Sequence, residues 1–444
     1  MGNGNSAARA VSAARSSDRD ESFSGFPYWW DAAPPATREG PLPSRVDALI
    51  VGSGFTGLSA ALTLARSGRK VLVCDAREIG YGASTRNGGH ISAKMRCGLA
   101  SLTDEHGEAA ALAAWNTARD ARAYLQSIIE RENIACDFST CHRFYGAHRA
   151  RDYQGLARLA DLLSRKLGLD VSAVPASEQH RYVTTKAYHG GLIDHGTAAF
   201  HPAKYIRGIC EKVEAAGATV RSHTKVTAVD RSNDGFEVTT ARGRVSAGAV
   251  VMATNGYTGA EFPYFARRII SIGSYLIATE PLGKAVVDKL MPGCDLVIDT
   301  RRAASYMRTS PDRTRIIYGG RVAATEISAS TSRPRLKAVL DNIFPSLHGH
   351  GVSHAWMGFT GFTFDELPHA GQHNGIWYAM GYCGTGTAMG TYLGHCVARC
   401  ILGEAQEASA LQRFEFRTNP LYRGNPWFLS TLIAGYRLLD RMHL

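Results

Sequence analysis

"VDALIVGSGFTGLSAALTLARSGRKVLVCDA" spans Val46 to Ala76, and its reading decides the fold. The apolar run ending at Val51 reads as a buried strand. A glycine turn follows, then a helix to about Arg66, then a second buried strand ending at Asp75. The turn itself is Gly52-Ser53-Gly54-Phe55-Thr56-Gly57. In this spacing the first glycine permits the tight turn, the second lets a diphosphate approach the backbone, and the third lets the helix press on the strand. The helix start then offers free N–H groups and the positive end of its dipole to the phosphates. Asp75, 18 residues past Gly57, stands where a carboxylate can take a ribose hydroxyl, with Ala76 and Arg77 beside it. The unit predicts dinucleotide binding and by itself leaves NAD and FAD open.

Around this unit the chain has 444 residues, enough for two or three domains at about 150 each. Apolar residues are 45% and charged residues 20%, which excludes a largely disordered chain, a coiled coil or a collagen-like fibre. Glycine is in excess, 46 of 444, as tight turns and close backbone approach to a ligand would require. The net charge is +11, but the 40 arginines and 10 lysines are scattered, so no nucleic-acid partner is expected. Nine cysteines without a CxxC pair point to reduced thiols and a cytoplasmic setting. The uncharged stretch Ala48 to Ala65 is the glycine-turn unit itself and not a membrane span. The first 25 residues lack an apolar signal region and read as a flexible tail, with Met1-Gly2 and Ser6 matching a myristoylation pattern. His348, His350 and His354 have no carboxylate or thiol at ligand spacing, so no metal site is expected.

Beyond Asp75 comes "GYGASTRNGGHIS", Gly80 to Ser92, too rich in glycine for an ordinary connection. Helices are predicted over 108–130 and 151–168 and from Pro202. Short strands follow over 218–254 and 267–321, and "GIWYAMGY" leads into a glycine turn and a helix to about Leu402. In this last helix Gly386, Gly390 and Gly394 form one small face suited to close packing. The absence of a second GxGxxG argues against a separate nicotinamide domain.

The ordered set of "PYWW", the dinucleotide motif, the "GASTRNGG" loop, "HPAKYIRGI", "VVMATNGYTG", "SYLIATEPL", "YMRTSPDRTRIIYGG" and "GYCGTGTAMGTYLG" resembles the FAD-dependent amine and amino-acid oxidoreductases of the D-amino-acid oxidase superfamily. The resemblance is closest to the γ-glutamylputrescine oxidase branch. It implies an α/β fold, with a Rossmann-like FAD-binding domain of the glutathione-reductase type and an interleaved antiparallel substrate sheet. The expected parts are a tail and lead-in (1–44), an FAD-binding domain (45–140, 191–257, 352–412), a substrate domain (141–190, 258–351) and a C-terminal helical extension (413–444).

The resemblance further implies that Gly82, Ala83, Ser84, Asn87, Gly88 and Gly89 wrap the FAD, with Val226 near the adenine and Ala253, Thr254, Asn255 and Gly256 at a strand end beside it. Gly384, Thr385, Gly386 and Thr387 would bring a helix N-terminus to the flavin. Arg86 stands where some relatives carry an anchoring histidine, so non-covalent FAD is expected. His90 reads as a covalent anchor, a substrate contact or a structural histidine. Tyr306 and Arg308 match the position of a carboxylate-holding pair, although a structural strand arginine reads nearly as well. Tyr275, Trp356 and Tyr382 are candidate pocket walls. The activity implied is oxidation of a CH–NH bond of a small amine or amino acid, with O2 as acceptor. The alternatives are a quinone or protein acceptor, a 2-hydroxy acid substrate, or flavin binding without turnover. The oligomeric state is left open.

Overall fold

The protein, described by a computed structural model over residues 23–302, 305–323 and 325–441, is built on two sheets. The expected N-terminal tail and its myristoylation pattern fall mostly outside those residues. In the first sheet, Arg45–Val51 pairs in parallel with Val71–Cys74 on one side and Gly243–Met252 on the other. Thr219–Arg221 and Ile376–Met380 extend the parallel sheet outward, and His369–His373 closes one edge antiparallel. The hairpin Val226–Ser232 and Gly235–Thr240 continues from Gly243–Met252. All four residues of Val71–Cys74 are buried, as both faces of a covered parallel sheet require.

Helix Phe55–Arg66 lies on this sheet and packs tightly on helix Gly386–Ile401. The glycine stripe explains the closeness, because a Cβ on Gly394 would sit 2.2 Å from the Thr56 carbonyl oxygen.

The second sheet runs Val352–Phe362, Ile270–Thr279, Ile316–Gly320, Ser305–Thr309, Leu296–Asp299, Ser139–Gly146, Gly191–Ala199 and His90–Ile91. Its pairs are antiparallel except Leu296–Asp299 with Ser139–Gly146. Side chains alternate across it. Tyr275, Ile277, Met307 and Tyr318 face a core shared with helix Ala329–Ile343. Leu276 and Ile317 face the other way, toward Trp29 and Trp356.

Three expectations need correction. Strands Gly191–Ala199 and Val352–Phe362 belong to this second sheet, whereas the sequence reading placed 191–257 and 352–412 wholly with the nucleotide-binding part. An apolar run marks a strand but does not say which sheet it joins, because pairing is nonlocal. The lead-in is also not loose from Phe23 onward. Ser24 bridges to His354, Ala36 bridges to Ile79, and the short helical turn Tyr28–Trp30 buries Trp29 completely. Lastly, Tyr275 points into the far core, so it is no pocket wall.

At the other end, helix Leu429–Arg441 docks through Leu429 and Ile433, while Leu421, Trp427 and Leu432 are exposed. Among the described residues no helix is long and apolar enough to cross a membrane, and no metal-binding group of three His, Cys, Asp or Glu side chains forms. The cysteines are free thiols.

Candidate active site

A cleft opens at the carboxyl ends of the first sheet's parallel strands. One side is the turn Gly52 to Thr56 and the start of helix Phe55–Arg66, and opposite lie Gly82, Ala83, Ser84 and Asn87. The turn brings these sides so close that a Cβ on Gly54 would stand 2.8 Å from Ser84 Oγ. Ser84 Oγ accepts from Phe55 N at 3.0 Å. Neither Gly54 nor Thr385, the residues preceding helices Phe55–Arg66 and Gly386–Ile401, caps its helix with a side chain. Two helix starts therefore present their dipoles to one cleft, an arrangement that favours a bound anion.

Asp75 closes the far end. Its Oδ2 accepts from Ser53 N and Oγ at 2.8 and 2.6 Å, and its Oδ1 accepts from Arg77 N at 2.9 Å. Burial pushes this carboxyl up, while the bonds from Ser53 and Arg77 pull it down. Oδ1, which accepts a single bond, keeps a lone pair for a ligand hydroxyl. Ala76, Arg77, Val226, Ala253, Thr254, Asn255, Gly384, Gly386 and Thr387, all expected ligands, also line the cleft. The sequence reading missed Tyr81 and the Lys225–Glu261 ion pair (3.0 Å), which stand with Tyr257 on the cleft wall. Lys225 adjoins Val226, which was its only signal.

Other expected ligands stand behind the cleft. Gly57 underlies it, since a Cβ there would meet the Gly52 oxygen at 1.9 Å. Gly256 crowds Gly361, and the Thr385 hydroxyl donates to the Tyr382 carbonyl. Arg86 lies over the rings of Trp30 and Tyr81 and donates to the carbonyls of Tyr81 and Met357. Gly88 and Gly89 turn toward the second sheet, where a Cβ on Gly88 would meet Tyr306 at 3.2 Å.

Of the expected catalytic set, Tyr382 lines the cleft, and its hydroxyl shares a 2.6 Å bond with Thr56 Oγ1. Trp356 is fully buried and donates its indole N–H to the Arg86 carbonyl, so it braces the loop and walls nothing. Arg308 departs furthest from the carboxylate-fork reading. Its Nε donates to Thr309 O, and its Nη1 faces the carbonyls of Gly88, Gly89 and Phe200. Either bidentate edge of a guanidinium needs one of those two nitrogens, so no free fork remains.

Tyr306 and His90 meet edge to face beside Gly88. The Tyr306 hydroxyl shares a 2.9 Å bond with Ser274 Oγ, and burial pushes it up to about 12. His90 Nε2 is buried without a partner. Burial, with the nearby charges of Arg308 and Arg143, holds the imidazole well below the ordinary histidine range and therefore neutral. A little further on, Lys94 Nζ and Arg143 Nη2 share Asp194 Oδ2, each at 3.1 Å, and burial lowers Lys94 to about 8.

A family profile described as FAD dependent oxidoreductase, DAO, matches residues 47–400. The chain belongs to this family. Within the DAO family it is 29% identical over 425 residues to a probable oxidoreductase OrdL of Rhizobium meliloti, covering 93% of this chain and 97% of the relative. It is 28% identical to the gamma-glutamylputrescine oxidoreductase of Escherichia coli, over 89% of this chain and 93% of that one. Its fold matches glycine oxidase from Geobacillus kaustophilus with a TM-score of 0.71 at 18% identity, covering 85% and 99% of the two chains. The protein is thus an FAD-dependent oxidoreductase of the DAO family. The cleft fits that cofactor through its glycine cradle, its two helix starts and the Asp75 carboxylate.

Proposed function

We propose that the protein oxidises a CH–NH bond of a small amine, with dioxygen as electron acceptor and non-covalent FAD as cofactor. The observation that carries the reading is the cluster of uncharged side chains, His90, Tyr306 and Ser274, beside the glycine loop, which holds no general-base couple. Amine oxidation needs none, because the neutral amine must only be positioned. Bound FAD supplies the two-electron acceptor for a hydride from the carbon next to nitrogen. His90, held neutral, does not repel an amine, and its free Nε2 can accept a hydrogen bond. The protonated Tyr306, fixed by Ser274, gives this cluster one rigid polar edge. Water then hydrolyses the released imine to an aldehyde and ammonia or a smaller amine.

The likeness to the gamma-glutamylputrescine oxidoreductase over most of both chains supports an amine. The amino-acid alternative rested on Arg308 as a carboxylate fork, and that guanidinium is already engaged. Arg86, at the loop position where some relatives carry an anchoring histidine, and the buried Cys383 thiol, raised to about 12, favour non-covalent attachment. The test is oxygen uptake with peroxide detection across diamines, γ-glutamylated diamines, amino acids and a 2-hydroxy acid. Amines should consume O2 and yield equimolar peroxide. Turnover with a quinone but not with O2 would replace the oxidase by a dehydrogenase, and turnover of the 2-hydroxy acid alone would overturn the amine reading.

A further inference from the structure

The loop 83–89 is held by its carbonyls. Those of Ala83 and Ser84 accept from Asn87 Nδ2, both at 3.0 Å. The Arg86 carbonyl accepts from Trp356 Nε1 at 2.9 Å and the Asn87 carbonyl from Trp29 Nε1 at 2.8 Å. Those of Gly88 and Gly89 face Arg308 Nη1 at 3.4 and 3.2 Å. Three donors from three distant segments thus grip four successive peptides. Trp29 comes from the strap that precedes the family-matched residues 47–400. All three donor residues are buried, and Arg308 also lies 5.3 Å from the Trp29 ring. Among the described residues Arg308 makes no ion pair, and the carboxylates of Asp295 and Asp137 favour its charge without contacting it. A buried cation without a paired carboxylate is costly to keep, and its field is poorly screened.

We propose that Trp29, Trp356 and Arg308 are positioning residues that fix the FAD loop from behind, and that the unpaired charge of Arg308 makes the bound cofactor easier to reduce. The loop's front, Ala83, Ser84 and Asn87, lines the cleft, so its placement and the charge behind it both act on the ligand there.

The experiment measures FAD dissociation constants and midpoint potentials, neither of which depends on the substrate. Trp29→Phe and Trp356→Phe each remove one N–H and should raise the FAD dissociation constant about fivefold. Arg308→Met should lower the equilibrium constant for reduction about tenfold, which is about 30 mV for two electrons. Arg308→Lys should restore the potential but not the affinity. If Arg308→Met fails to fold, Arg308→Gln, which keeps an N–H donor without charge, takes its place. A lower melting temperature with unchanged FAD affinity in both tryptophan variants would reduce the clamp to ordinary packing. An unchanged potential in the neutral Arg308 variant would overturn the electrostatic part.

Discussion

Two glycines three residues apart should fail in different ways. A Cβ on Gly57 would lie 1.9 Å from the Gly52 carbonyl oxygen and 3.1 Å from Ile50 Cγ2. The nearer atom is backbone and cannot swing aside, so in Gly57→Ala helix Phe55–Arg66 must lift off its strand. Overpacking of this kind costs about 1–3 kcal/mol. A Cβ on Gly54 meets only the Ser84 side chain, with Oγ at 2.8 Å, a hydroxyl that can rotate away at the cost of one hydrogen bond from Phe55 N. The apoprotein of Gly54→Val should therefore stay within about 1 kcal/mol of the parent. Its branched side chain nonetheless fills the space through which a diphosphate reaches the backbone, so FAD binding should be lost. Thermal melts of both apoproteins and FAD titrations followed by fluorescence separate the two effects. Gly54→Val purifying with one FAD per chain, or Gly57→Ala melting like the parent, would refute the reasoning.

Acid precipitation should leave a yellow supernatant and a colourless pellet, and flavin retained in the pellet would show a covalent link. Acid should also weaken the fold through His201. Burial, with the nearby Lys204 charge, lowers its pKa from 6.5 to about 4, and its Nδ1 accepts from Lys204 N at a helix start. Below pH 6.5 the unfolded chain takes up a proton that the folded one refuses, so stability falls from there toward pH 4, by roughly 2 kcal/mol at pH 5. Urea melts of His201→Asn, which keeps a capping oxygen, should show less of this loss, and an equal loss would acquit His201. Removing 425–444 should lower the melting temperature, because Leu429 and Ile433 are buried. If instead the full chain sediments with membranes and the shortened one does not, exposed Trp427 and Leu432 serve an interfacial anchor.

The dinucleotide unit was legible because its chemistry is local. Three glycines, one carboxylate and two apolar runs specify strand, turn and helix within thirty residues. The packing of helix Gly386–Ile401 was legible for the same reason, from three glycines on one face. The substrate side was not. Arg308 reads in sequence as a strand arginine free to fork a carboxylate, and only the fold brings Gly88, Gly89 and Phe200 to its guanidinium. Tyr275 and Ser274 are neighbours in sequence yet face opposite sides of the sheet, and that phase is set by nonlocal pairing. The lead-in hid its role because prolines and a short aromatic cluster carry no periodic signal, although Trp29 and Trp30 reach the FAD loop through their indole N–H groups.

The most direct test of the central claim is anaerobic mixing of the purified yellow protein with candidate amines while the flavin absorbance is followed. At least one amine should bleach the flavin without added reductant, and admitting O2 should restore the colour with release of one peroxide per flavin. A flavin that dithionite bleaches but no amine does, or that a 2-hydroxy acid alone reduces, would contradict it.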